Sequence, residues 1–105
     1  MDTIITDFAN AWKTFNPELI IKHLSPDFQY NSQWVFESLD YNGYIEYIRN
    51  KFETLKQRNI ILDVEIVDDS IYGGKMLRII QAGESIVYRI KTKNAHVIKG
   101  DMCML

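Results

Sequence analysis

FANAWKTFNPELIIKHLSPDFQYNS, from Phe8 to Ser32, decides how the rest of the chain reads. Together with Ile5 just before it, Phe8, Trp12 and Phe15 recur at spacings of three, four and three. That is one stripe of a helix. Asn16 is suited to cap a second helix, because its side-chain oxygen can accept from a free backbone N–H. Pro17 takes the first position, where no donor is needed, and Glu18 is favoured by the helix dipole. Leu19, Ile20, Ile21 and Leu24 give this second helix a broad apolar surface. Pro26 is expected to end it, since proline pushes Ser25 out of helical geometry. Phe28, Tyr30 and Ser32 then alternate with Gln29 and Asn31, the period of a half-buried strand.

Beyond this stretch, Trp34-Val35-Phe36 reads as a short strand that pairs with the first. Asp40 is a cap for a third helix, in which Tyr41, Ile45, Ile48, Phe52 and Leu55 follow a four-three-four-three rhythm. Glu46, Arg49, Asn50, Glu53 and Lys56 fill its other face, while Tyr44 and Tyr47 fall off the stripe and read as half-exposed rim or partner contacts. After Asn59 the period changes to two. Ile60, Leu62, Val64 and Ile66 point one way, Asp63 and Glu65 the other. Turn residues at Asp68 to Gly74, Ala82-Gly83-Glu84 and Lys93-Asn94 separate the later strands. The spacing predicts helices near 3–15, 17–24 and 41–57. It predicts strands near 27–32, 60–67, 75–82, 85–92 and 95–104, in one α+β domain over 1–105. The hairpin-length links predict an antiparallel sheet.

Composition narrows the function classes. Hydrophobic residues are 47% and charged residues 25% of the 105, the balance of a globular protein. A net charge of −2 makes the field around the protein weak, which disfavours nucleic acid as a partner, since that usually wants a basic face. The start, MDTIITDFANAW, has no basic region of a signal peptide, and no apolar run approaches the ~20 residues of a membrane span. The one cysteine, Cys103, excludes an internal disulfide and reads as a small buried hydrophobe. The cytoplasm is the expected compartment. No Walker loop, dinucleotide glycine pattern, zinc spacing or nucleophile elbow occurs, so neither cofactor nor metal is expected. Asp68-Asp69 and Asp27 read as turn formers.

The order of helix, helix, strand, helix and four further strands resembles the nuclear transport factor 2-like superfamily, the cone-shaped α+β rolls that include SnoaL-like cyclases and steroid isomerases. The resemblance covers nearly the whole chain and is most specific over Phe8 to Ser32. It implies a curved sheet wrapped around the long helix, with a pocket at the wide end. The steroid isomerases place a tyrosine on the first helix, a base on the first strand and a second acid on a later strand. The first two positions fall here on Phe8 and Ser32, and the second acid falls near Ile86. A phenyl ring cannot hydrogen-bond a developing oxyanion, a lone serine is no base near neutral pH, and isoleucine has no ionisable group. These departures argue against isomerase chemistry.

Within the implied cone, Trp12, Tyr30, Ser32, Trp34, Tyr88, His96 and Met102 are the expected ligand contacts, because aromatics with one polar atom line pockets well. His96 is in phase with Ile98 and Met102 on the last strand. With Tyr88 and Tyr30 it is the candidate acid–base set if the protein is an enzyme. The plainer reading makes His96 a rim residue and Trp12 core. His23, at the end of the second helix, reads as structural. Met76-Leu77-Arg78-Ile79-Ile80 is apolar on both faces apart from Arg78, which predicts a homodimer through the sheet. The sequence leaves three functions open: a small dimeric domain that binds an apolar molecule without catalysis, a cyclase, isomerase or hydratase-type enzyme, and a protein-interaction module using the sheet face.

Overall fold

The computed structural model describes residues 3–33 and 37–104. Its order is α1 (Thr3–Thr14), α2 (Glu18–Ile21), β1 (Leu24–Ser32), α3 (Tyr41–Gln57), β2 (Asp63–Asp68), β3 (Lys75–Gln81), β4 (Glu84–Lys93) and β5 (His96–Met104). The five strands form one curved, unclosed sheet in the order β1-β5-β4-β3-β2. The expected strand at Trp34-Val35-Phe36 lies outside the described residues.

Local chemistry accounts for the element ends. Asn16 Oδ1 accepts from the Glu18 N–H at 3.2 Å, and Asp40 accepts from the Gly43 N–H at 2.8 Å, opening α2 and α3. The β3–β4 hairpin turns on Ala82 and Gly83, and the β4–β5 hairpin on Asn94 and Ala95, all at positive φ. Such two-residue turns match the right-handed twist of the strands they join.

Two expectations about this framework are corrected. The sheet is not wholly antiparallel, because β1 runs parallel to β5. The chain leaves β1, passes through α3, and returns to the sheet only at its far edge, so β1 meets a strand of its own direction. The second helix is also shorter than expected. It ends at Ile21, and the Val97 N–H donates to the His23 carbonyl at 2.8 Å, which draws the backbone into the sheet before Pro26 is reached. Pro26 sits where the β1–β5 register shifts, between Leu24 and Gln29. A residue without an N–H is tolerated there.

One core lies between the helices and the concave face of the sheet. Phe8 and Trp12 of α1 and Tyr44, Ile48 and Phe52 of α3 are buried against Leu77, Ile79, Tyr88 and Met102. The α3 stripe is rotated from the expected one: Tyr44 is fully buried, whereas Tyr41, Ile45 and Tyr47 are only partly so. Tyr44 is wanted inward because its hydroxyl meets that of Tyr88 at 2.7 Å. On the convex face, Met76 and Val87 are buried outside this core.

Candidate functional site

Four tyrosines gather at the centre of the cone. Ring centroids lie 4.6 Å apart for Tyr30 and Tyr44, 6.0 Å for Tyr30 and Tyr88, and 5.6 Å for Tyr30 and Tyr47. Phe8 meets Tyr88 edge-on at 5.9 Å and supplies packing. Burial pushes the Tyr44 and Tyr88 hydroxyls well above the usual phenol range, and raises Tyr30 as well. These hydroxyls stay protonated and bond to one another or, for Tyr30, to Met102 Sδ at 3.6 Å. They are structural donors, closed off from a ligand.

The open space lies beside this cluster. A hollow of about 170 Å³ runs between α3 and strands β3 and β4. Leu55, Leu62, Ile79, Ile86 and Met102 form its apolar wall, with the Trp12 indole at one side. Its polar groups are Tyr47, Lys51 and Gln81. A more open depression shares Tyr47, Lys51, Leu55 and Gln81 and adds Arg58 and Asn50, forming a wider mouth.

Trp12 and Lys51, which line the hollow, have polar groups without a partner among the described residues. The Trp12 indole N–H is buried and finds no acceptor among the described residues. Lys51 is half-buried, and desolvation alone lowers its ammonium below the ordinary lysine value, with no pairing carboxylate among the described residues.

The nominated residues divide accordingly. Trp12 and Met102 line the hollow. Tyr30 and Tyr88 do not; they are core residues beside it. Ser32 is half-buried opposite Met102 in the sheet and bonds the Tyr30 hydroxyl, and Trp34 lies outside the described residues. His96 is a correction. It is exposed, with Nδ1 2.9 Å from the Asn94 carbonyl oxygen, and lines only a shallow surface groove with Pro26 and Asp27. The cause is one bulged residue. Lys91 faces Lys99 and Thr92 faces Val97, so Ile98 is extra. It reverses the alternation, turning Val97 into the core and His96 out. His96 and the Tyr88 hydroxyl therefore share no cavity.

Sequence reasoning missed Tyr47, Lys51, Leu55, Leu62, Ile79, Gln81 and Ile86. A signal existed for part of the set: Tyr47, Lys51 and Leu55 are spaced by four along α3, one row of a helix surface. A lysine between two apolar residues on such a row is a candidate for partial burial.

No protein-family model and no curated protein matches the chain. Solved structures do. A nuclear transport factor 2-like protein of unknown function from Cytophaga hutchinsonii matches with a TM-score of 0.75 at 9% identity, over 100% of this chain and 99% of that one. A SnoaL-like protein of unknown function from Burkholderia thailandensis matches at 0.69 and 18% identity, over 95% and 89%. An LEH-like epoxide hydrolase of M. tuberculosis matches at 0.61 and 11% identity, over 97% and 80%. The chain therefore has the cone-shaped fold of the nuclear transport factor 2-like proteins.

Proposed function

We propose that the protein is a small-molecule-binding domain whose ligand sits in the hollow between α3 and strands β3 and β4. The observation that carries this reading is the pairing of an apolar wall with the half-buried, uncompensated Lys51 ammonium, in a cone of a fold that elsewhere houses ligands and enzymes. Pockets for drug-sized molecules occupy roughly 300–1,000 Å³, so the smaller hollow here favours a ligand below that size. The acid–base set read from the sequence does not meet here: the Tyr30 and Tyr88 hydroxyls are tied to the core and His96 is outside. Binding without turnover is the function this arrangement supports best.

The test is a fragment screen by protein-detected NMR on the wild-type protein and on Ile79→Trp, which fills the hollow. Fragments that shift Met102 and Trp12 resonances in the wild type and leave the variant unmoved support the reading. Turnover of carbonyl or epoxide substrates would replace it with an enzyme. The same proposal includes a second copy of the chain on the convex sheet face, where Val67 and Ile80 are still partly exposed. Sedimentation velocity reads this directly, and a monomer at high concentration removes it.

A further inference from the structure

We propose that the ligand of this hollow is a small apolar acid, held by its carboxylate on the Lys51 ammonium. The inference rests on the ligand-site reading above and adds the chemistry of the ligand. Neither the hollow nor its mouth is lined by an aspartate or a glutamate, while Lys51 lines both and Arg58 stands at the mouth. Among the described residues the site presents positive charge with no internal counter-ion.

The hydrogen-bonding inventory points the same way. Lysine ammonium can only donate, so it asks for an acceptor, and Lys51 stands at this apolar wall without a pairing carboxylate among the described residues. A carboxylate has two oxygens that only accept. It also supplies the charge that removes the cost of holding Lys51 out of water. The rest of the ligand meets Leu55, Leu62, Ile79, Ile86 and Met102, which favours a hydrocarbon chain. A neutral alcohol of the same length would fill the wall but leave the ammonium uncompensated.

Hexanoate and 1-hexanol separate these contributions, since they share a chain and differ at the head. Calorimetric titration of the wild-type protein should give hexanoate an affinity about tenfold or more above hexanol, as charge-assisted hydrogen bonds outweigh neutral ones. Lys51→Met should abolish that preference while hexanol still binds, and Lys51→Arg should retain part of it. Equal affinities in the wild type, or an unchanged preference in Lys51→Met, would overturn the acid and leave the ligand site standing. Binding of neither probe to a protein that melts cooperatively would overturn both. Borohydride trapping of hexanal, but no hexanoate binding, would instead make Lys51 an imine-forming amine and defeat the proposal.

Discussion

At the residue scale, the pair of hydroxyls on Tyr44 and Tyr88 has the sharpest energetic signature. Both are fully buried and each is the other's partner at 2.7 Å. Tyr88→Phe strands the Tyr44 hydroxyl, so it should cost about 1–3 kcal/mol, the usual penalty for an orphaned buried polar group. Tyr44→Phe should cost a similar amount. The double variant should cost clearly less than the sum, because the second substitution removes the orphan that the first created. Urea unfolding of the four proteins checks this, and strict additivity would mean that the hydroxyls do not depend on one another.

Asp7 offers a second test at this scale. His23 Nε2 lies 2.7 Å from Asp7 Oδ2, and Lys22 approaches the same oxygen at 3.3 Å. The hydrogen bond from His23, opposed by burial and helped by Lys22, holds the Asp7 carboxyl below the usual carboxylate range. A carboxyl with a depressed folded pKa stabilises above its unfolded value and loses that contribution as pH falls through the folded one. Stability measured from pH 6 down through 3 should therefore fall less steeply in Asp7→Asn than in the wild type. Parallel curves would show that the contact has no energetic weight.

Among the elements, β5 shows where sequence patterning succeeds and where it stops. Most element positions were legible: α1 from the Phe8–Trp12–Phe15 stripe, α3 from its cap at Asp40, the later strands from alternation and from Gly73-Gly74 and Ala82-Gly83. The bulge at Ile98 was not. A single extra residue leaves composition unchanged but reverses inside and outside for the rest of the strand. It misplaced His96, and with it the candidate acid–base set. The parallel β1–β5 pair was hidden for a related reason. It joins residues some seventy positions apart, and no local pattern records such a partner. The site escaped because Lys51 and Gln81 look like surface residues in a linear reading. They become pocket residues only when the sheet curves around α3.

Gly100 gives β5 a testable demand. It lies opposite Tyr30 on one neighbouring strand and Ile90 on the other. A Cβ there would stand 2.8 Å from the Tyr88 hydroxyl oxygen and 3.2 Å from Phe28 Cζ. Both rings are held in the core, so neither can move aside cheaply. Gly100→Ala should destabilise by about 1–3 kcal/mol, the usual range for overpacking. Combining it with Tyr88→Phe should relieve part of that loss, which a thermal melt of the single and double variants will read.

For the whole molecule, the fold divides its interior between two uses. The centre is filled by rings of Phe8, Phe28, Tyr30, Tyr44 and Tyr88, and the buried tyrosine hydroxyls fix how they pack. The space beside them, between Trp12, Lys51 and Ile86, is left hollow. Phe8 packs among these rings, Ser32 bonds the Tyr30 hydroxyl and Ile86 lines the apolar wall of the hollow. The convex face makes a separate use of charge, with Arg78 bonded to Glu65 and Arg89 to Asp69 around Met76 and Val87. Such a face leaves less apolar surface for a second copy than the Met76–Ile80 run alone implies.

The most direct measurement is the ¹⁵N–¹H resonance of the Trp12 indole during titration with hexanoate. The account predicts a saturable shift in the wild-type protein, as the ligand packs against the Trp12 ring, that disappears in Ile79→Trp and weakens in Lys51→Met. An indole resonance that stays in place, or drifts without saturating in wild type and filled variant alike, would contradict it.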